Sequence, residues 1–178
     1  DYDLAEAELR HALRLNSSYT DAHYHLGRVL ESPACENYTG AIFHFSRALE
    51  IKPGLAYAQK ALDEVMGRFT AHELLDQARR LDHATAEVVL HATLRKHPKL
   101  FNGWLQLGSV YANWGRYDES IDASRKCLDL EPSSRVNTAI LHNNLGYAYS
   151  KRTAPATKIA EYHYRESIRI NPALVSSR

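Results

Sequence analysis

Several residue types are scarce in this 178-residue sequence, and each shortage excludes a class of protein. The two cysteines, Cys35 and Cys127, are too few for a disulfide framework and too far apart in sequence to suggest a metal-ligand pair. No apolar run approaches the roughly 18 residues that a membrane span needs. The net charge of +1 at pH 7 gives no electrostatic reason to expect a nucleic-acid partner or an anionic membrane. We therefore expect neither nucleic-acid binding nor membrane insertion.

Helical periodicity is what the sequence has in abundance. Apolar residues make up 44% of the chain and recur at spacings of three and four, whereas strand-like alternation is hard to find. Long stretches contain no glycine or proline. These features predict an all-α protein. The acidic, helix-like opening DYDLAEAELR contains no signal peptide, and a cytoplasmic or other intracellular location is the expectation.

A motif of spaced apolar residues occurs three times. Leu107-Gly108-x-x-Tyr111 aligns with Leu26-Gly27-x-x-Leu30 and with Leu145-Gly146-x-x-Tyr149. Each copy is followed by a second helical stretch with small residues in phase and then by a proline. One such helical hairpin cannot bury its apolar face alone, so copies are expected to stack.

The segment 101–134 resembles the tetratricopeptide repeat, a helix-turn-helix of 34 residues. The residues that carry the resemblance are Trp104, Leu107, Gly108, Tyr111, Tyr117 and Pro132. Ser124 departs from the pattern, because the family prefers a large apolar residue there, and looser packing is expected around it. The resemblance implies an α-solenoid, a superhelix of antiparallel helix pairs with about ten helices.

The spacing of the repeats predicts a single array over residues 1–178, which consists of five parts. The expected parts are 1–19, the second helix of a truncated repeat; 20–54, a repeat; 55–100, an irregular or extended repeat; 101–134, the best-matching repeat; and 135–174, a repeat. The unpaired first helix and the end at NPALVSSR suggest a fragment of a longer array.

The middle segment is 11 residues too long for an ordinary repeat. Residues 55–81 form either one long helix or two helices broken near 67–70, with Thr70 as the cap of the second. We favour the break. Either arrangement interrupts the regular superhelix.

Catalytic and metal-binding motifs are missing from the sequence. There is no HExxH, P-loop, GxGxxG or GxSxG motif. We interpret the ten histidines as residues of amphipathic helix surfaces, although His142 and His163 lie on paired helices and could approach each other. No third ligand can be named for them. We expect no enzyme activity, no metal and no cofactor.

The resemblance also implies a binding surface, because first helices of such arrays line a concave groove that takes a peptide. The positions expected to face it are Tyr24, His25, Arg28, Asn102, Leu105, Gln106, Ser109, Asn113, Asn143, Asn144, Tyr147 and Lys151. In some family members asparagines at the positions of Gln106 and Asn144 grip the backbone of a bound peptide. The Lys/Asn/Arg clamp that other members use for chaperone tails is not reproduced here.

The functional hypothesis is a non-catalytic scaffold that binds a protein or peptide in this groove. Two alternatives remain open. The chain is either the regulatory or substrate-recruiting region of a larger enzyme, or a scaffold that self-associates through its end helices.

Overall fold

The computed structural model describes residues 2–130, 132 and 134–175, with side chains as far as residue 173. All regular structure in this part of the chain is helical. The α-helices are α1 (Tyr2–Leu15), α2 (Thr20–Leu30), α3 (Tyr38–Ile51), α4 (Ala56–Met66), α5 (Ala71–Ala78), α6 (His83–Lys96), α7 (Phe101–Asn113), α8 (Tyr117–Leu128), α9 (Arg135–Lys151) and α10 (Thr157–Ile170). A short 3-10 helix, Pro172–Val175, follows α10. The all-α fold and its ten helices are confirmed.

The helices group into two compact units, Asp1–Thr93 and Leu94–Arg178. In the first unit α2 packs against α3, and α1 and α4 lie beside this pair. In the second unit α7 packs against α8 and α9 against α10, while α8 and α7 also contact α9. The two helices of each pair are joined by a short connection and run antiparallel, so both units are built from helical hairpins.

The helix pair α7–α8 shows why the motif residues have their spacing. Leu107 and Tyr111 lie four residues apart on the buried face of α7, at 1% and 5% exposure. Gly115 follows the helix with φ +79°, in the left-handed region, and ends it at low cost. A Cβ atom on Gly108 would lie 2.9 Å from the Ser124 hydroxyl and 3.5 Å from the Ser120 carbonyl, so α8 approaches closely there, as expected.

The middle segment contains two helices rather than one. Helix α4 ends at Met66, and α5 begins after Thr70. The Thr70 hydroxyl accepts from the backbone N–H of Glu73 at 3.2 Å, and the Glu73 carboxylate accepts from the backbone N–H of Thr70 at 2.6 Å. This reciprocal capping box fixes the start of α5, and the break predicted near residues 67–70 is confirmed.

Each unit has its own apolar core. In the first unit, Tyr24 and Leu49 pack against a buried cluster of Ala48, Leu55 and Ala58. The core of the second unit includes Phe101, Leu105, Ile121, Cys127, Leu141, Leu145, Ala148, Tyr149 and Ala160. Among the helices described above, none is both long and apolar enough to cross a membrane.

Candidate functional site

Helix α2 supplies the three predicted site residues of the first unit. His25 and Arg28 are exposed, whereas Tyr24 is half-buried. The Tyr24 ring lies 4.6 Å from that of Tyr57 and 5.8 Å from that of Phe45, measured between centroids. Tyr24 therefore has a clear packing role, because it joins α2 to α3 and α4.

His25 and Arg28 line an open cavity of about 550 Å³. The lining residues are Tyr2, Ala5 and Leu9 of α1, His25, Arg28 and Val29 of α2, Glu31, Ser32 and Pro33 after it, and Arg68. The volume lies within the range of about 300–1,000 Å³ that is typical of ligand sites. Apolar side chains of α1 face polar and charged groups of α2, which is the composition of a site that binds an amphipathic segment.

Three charged side chains border this cavity. Arg28 pairs with Glu31 at 2.9 Å, and the Glu31 carboxylate is nearly buried while half of the Arg28 side chain remains exposed. The Arg68 guanidinium lies 5.4 Å from the centre of the Tyr38 ring. With two arginines against one paired glutamate, the cavity favours a negatively charged group on a ligand.

In the second unit the predicted residues fall on α7 and α9, and two pairs of polar side chains join these helices. Asn137 donates through Nδ2 to Asn102 Oδ1 at 2.9 Å. Asn144 donates through Nδ2 to Ser109 Oγ at 2.8 Å. In both pairs the two residues are 35 positions apart in sequence. The second pair therefore repeats the first contact about two helical turns further along α7 and α9. Asn137 was missed from the sequence because four extra residues obscure the register before α9.

The remaining residues of this face are arranged around those bonds. Asn113 and Lys151 are exposed, and Gln106, Asn143 and Tyr147 are half-buried. Leu105, which was expected beside them, is buried in the core at 8% exposure. The polar face of α7 and α9 is therefore held in place by its own hydrogen bonds.

Tyrosines mark the end of this face near the start of α8. The Tyr117 and Tyr147 rings lie 6.0 Å apart in an edge-to-face arrangement. A side-chain hydrogen bond with Tyr147 raises the pKa of Tyr117, so the Tyr117 phenol stays neutral at physiological pH. Nearby, Arg152 pairs with Asp118 at 3.0 Å. Paired phenols and a fixed ion pair offer a partner both an aromatic surface and polar groups.

Two of the ten histidines, His23 and His163, contradict the expectation that they lie on helix surfaces, because both are buried against a second histidine. His23 and His44 approach at 2.9 Å between their Nδ1 atoms, and His142 and His163 at 3.0 Å. His23 and His163 are buried at 6% and 9% exposure. The expectation was wrong for these two because the first and second helices of one repeat pack together where residues 21 positions apart meet, and this packing covers the imidazole rings. That His142 and His163 approach each other is confirmed.

Cys127 is a packing residue of the second unit. Burial raises the pKa of Cys127 to about 12, so its thiol stays protonated at neutral pH. Its Sγ lies 3.5 Å from the Phe101 carbonyl, in the contact between α8 and α7. Within the ranges that the structure covers, no group of three or more His, Cys, Asp or Glu side chains is placed to hold a metal ion.

Comparison with known proteins places the repeat on residues 101–134, which match the family model described as a tetratricopeptide repeat. No curated protein sequence matches the chain. Among solved structures, MamA of AMB-1 is 20% identical with a TM-score of 0.48, over 97% of this chain and 90% of that one. A MamA fragment from Desulfovibrio magneticus RS-1 is 20% identical with a TM-score of 0.44, over 97% and 86%.

A third structure with similarity is YrrB, described as a tetratricopeptide-repeat protein with an unusual peptide-binding site. It is 23% identical with a TM-score of 0.43, over 98% of this chain and 82% of that one. At these values the similarities carry no information about the partner of this chain.

Proposed function

We propose that this chain, in which residues 101–134 form a tetratricopeptide repeat, is a non-catalytic scaffold that binds a peptide or an extended protein segment on the first helices of its repeats. The observation that carries the proposal is the cavity of about 550 Å³ in the first unit. Its lining combines an apolar wall with arginines, and it includes His25 and Arg28, two of the positions named from the repeat pattern.

The proposed mode of binding in the first unit follows from the charges around the cavity. An apolar side chain of the ligand lies against Ala5, Leu9 and Val29, and an acidic group pairs with Arg28 or Arg68. The Arg28 guanidinium has five N–H donors, and its pairing with Glu31 at one nitrogen leaves others to face the cavity.

The proposed mode in the second unit uses the polar face of α7 and α9. Side-chain amides carry both a donor and an acceptor, so they match a peptide backbone without reading its side chains. Because Asn102 and Asn144 are already oriented by hydrogen bonds across the two helices, less side-chain entropy is lost when a peptide binds.

The test is selection of a displayed library of random 12-residue peptides on the immobilised full chain at pH 7.5. The Kd of a selected peptide is then measured by fluorescence anisotropy. Arg28→Ala is expected to weaken an acidic peptide by about 10-fold or more, since it removes a charge-assisted hydrogen bond. Arg80→Ala, an exposed arginine of the same unit that does not line the cavity, is the matched control.

The double variant Asn143→Ala/Asn144→Ala tests the second unit in the same assay. A loss confined to this variant moves the main site to α7 and α9. If no peptide is selected, or if the selected peptides bind all three variants as tightly as the unaltered chain, the proposal is overturned.

A further inference from the structure

Two helical hairpins of this chain contain the same arrangement of facing imidazole rings. The Nδ1 atoms of His23 on α2 and His44 on α3 are 2.9 Å apart, and those of His142 on α9 and His163 on α10 are 3.0 Å apart. The ring centroids are 5.2 Å apart in both pairs. This separation is close to the largest that the ring geometry allows for so short a contact between nitrogens. The two Nδ1 atoms of each pair therefore point almost directly at each other.

A hydrogen bond to the backbone determines where His23 directs a lone pair. Its Nε2 donates to the Ser17 carbonyl at 3.1 Å, and a carbonyl only accepts, so the neutral ring has its proton on Nε2 and a lone pair on Nδ1. A backbone carbonyl on the other ring nitrogen is the outer partner that metal-binding histidines usually have. If the His44 proton moves from Nδ1 to Nε2, a second lone pair points at the same place and the charge of the pair is unchanged.

The ring of His163 in the second pair is oriented by packing. It lies parallel to the ring of Tyr149, with 4° between the planes and 5.7 Å between the centroids. The Tyr149 hydroxyl in turn accepts a hydrogen bond from Arg125 at 2.9 Å. Both histidine pairs are thus set in position by neighbouring groups, which lowers the entropy cost of binding a ligand between the rings.

The geometry of the pairs determines which ion they suit. Nitrogens that point at each other place an ion between them in line, and among the residues that the structure describes no group of three or more His, Cys, Asp or Glu side chains is placed to form a larger ligand set. Zn²⁺ in structural sites is almost always tetrahedral, so it is poorly served here. The closed-shell ion Cu⁺ accepts two nitrogen donors in line, and imidazole is a good ligand for copper.

We propose that each facing pair, His23 with His44 and His142 with His163, binds one Cu⁺ ion in line between its two Nδ1 atoms. The ion replaces the hydrogen bond between the two helices of a hairpin with two metal–nitrogen bonds. The sequence names no third ligand for His142 and His163, and an ion held in line needs none. The proposal is independent of peptide binding, because neither pair lines the cavity of about 550 Å³.

The ion needs more room between the nitrogens than the hydrogen bond does. A metal–imidazole bond is about 2.0 Å long, so two bonds in line require about 4 Å, roughly 1 Å more than the present contacts. His44 is half-buried and lines a second open cavity of about 300 Å³. This cavity gives the His44 ring space to move by that amount and gives the ion a path from solvent. His142 is half-buried as well.

The charges around the two pairs are balanced, so a single positive charge can be accommodated. The arginines whose charges act on the histidines are each bound to a glutamate: Arg10 to Glu6 at 2.8 Å, Arg47 to Glu50 at 2.5 Å and Arg169 to Glu166 at 2.8 Å. Because Coulomb repulsion is proportional to charge, Cu⁺ meets about half the repulsion that a divalent ion would meet from these arginines.

The repeat at 101–134 provides an internal comparison. It has Trp104 and Arg125 at the positions that are histidine in the other two repeats. Neither an indole nor a guanidinium offers a lone pair to a metal ion. The number of sites expected in the chain is therefore two rather than three.

Titration of the full chain with Cu⁺ under nitrogen, in competition with the coloured chelator bicinchoninate, tests the proposal. The parent protein is Cys35→Ser, because thiols also bind Cu⁺ and the other cysteine, Cys127, is buried. We expect two ions per chain in this parent, one in either His44→Asn or His142→Asn, and none in the double variant. His72→Asn, which changes an exposed histidine of the first unit outside both pairs, is the matched control.

The loss of one histidine is expected to weaken its site by about 100-fold or more, since loss of an outer partner alone costs about 10–100-fold in metal affinity. Ions bound as tightly by the double variant as by the parent would overturn the proposal. A single ion, lost in only one of the two single variants, would overturn it for the other pair.

Nitrogen NMR of the parent, which keeps every histidine, identifies the ligands without relying on a variant that must fold. Addition of Cu⁺ is expected to shift Nδ1 of His23, His44, His142 and His163 and to leave the remaining histidines unchanged. X-ray absorption at the copper edge should show nitrogen at about 2 Å and no sulfur. Shifts confined to other histidines, or sulfur bound to the copper, would contradict the assignment.

Discussion

Two buried serines on α8, Ser120 and Ser124, differ in whether their hydroxyl groups form a hydrogen bond. Both are completely buried beside Gly108. Ser120 donates to the Gly108 carbonyl at 2.8 Å. The Ser124 hydroxyl has no hydrogen-bond partner in the described part of the chain. Burying a hydroxyl without a partner costs desolvation free energy that no hydrogen bond offsets, whereas the bonded Ser120 hydroxyl connects α8 to α7.

These two serines should therefore respond to alanine in opposite directions. Ser120→Ala is expected to lower the free energy of unfolding by about 1 kcal/mol, because it removes a buried hydrogen bond between α8 and α7. Ser124→Ala is expected to raise it by up to about 1 kcal/mol. Urea unfolding followed by tryptophan fluorescence measures both, since Trp104 and Trp114 report on the second unit. Equal losses in the two variants would contradict the assignment.

Gly27 gives a second prediction at this scale. A Cβ atom there would lie 2.5 Å from the ring of Phe45, which is fully buried. Gly27→Ala is therefore expected to destabilise the first unit by about 1–3 kcal/mol, although alanine favours helices. Phe45→Leu provides the control in a double-mutant cycle, where a coupling energy near zero would show that the ring is not the obstacle.

The sequence predicted a residue's position well where spacing within one helix sets it, and poorly where a contact between two helices sets it. Leu107, Gly108 and Tyr111 were placed correctly because their spacing within α7 defines its buried face. Tyr24 was predicted to face a ligand, but its ring also meets Phe45 and Tyr57 on other helices. Contacts between helices depend on rotamers and distances, which spacing does not encode.

At the scale of elements, the break between α4 and α5 is the departure from a regular array. A run of 11 extra residues was visible in the sequence, and Thr70 as the cap of a second helix was the local signal named for a break; the structure adds Glu73 as the partner of Thr70 in a capping box. The ends of the helices follow local chemistry of this kind. The bond between Asn102 and Asn137 was missed because the length of the α8–α9 connection, rather than any local signal, sets the register of α9.

Loss of this cap gives a prediction about the element. Thr70→Val removes the hydroxyl that accepts from the Glu73 N–H, and it is expected to cost about 1 kcal/mol of stability and to loosen α5 first. Thr70→Ser keeps the oxygen and should retain most of the stability. Hydrogen exchange of residues 71–78 distinguishes the two. Equal protection in both variants would mean that packing alone holds the helix.

At the scale of the whole molecule, the paired histidines make stability depend on pH. Burial lowers the pKa of His23, His44, His142 and His163. A histidine with a lowered folded pKa contributes its full stability above the unfolded value near 6.5 and loses it as the pH falls towards the folded value. Each unit contains one such pair, so both should weaken in mild acid.

We expect the free energy of unfolding to be highest above pH 6.5 and to fall continuously between pH 6.5 and pH 4. Protonation linked to His44 alone accounts for about 2 kcal/mol at pH 5. Urea unfolding followed by circular dichroism at several pH values measures the loss, and His44→Asn should reduce its slope. The carboxyl groups of Glu73, Asp82 and Glu119, whose pKa values are lowered by hydrogen bonds, add a loss of the same sign at lower pH. A stability profile that is flat from pH 7 to pH 5 would refute this role of the histidines.

The site is harder to predict than the fold for a physical reason. A helix can be predicted from the spacing of apolar residues along the sequence. The cavity, in contrast, depends on how α1, α2 and Arg68 are placed relative to each other in three dimensions. His25 and Arg28 were named because the repeat assigns them a face. Val29 and Arg68 carried no signal of their own, since nothing in their local sequence distinguishes them from solvent-exposed residues.

In two repeats of this chain a histidine contacts the histidine 21 positions later. The Nδ1 atoms are 2.9 Å apart in His23–His44 and 3.0 Å apart in His142–His163. Replacing one member alone by an apolar residue would leave the Nδ1 of the other ring without its partner. Repeats that are recombined to build new arrays should therefore keep both histidines of a pair together.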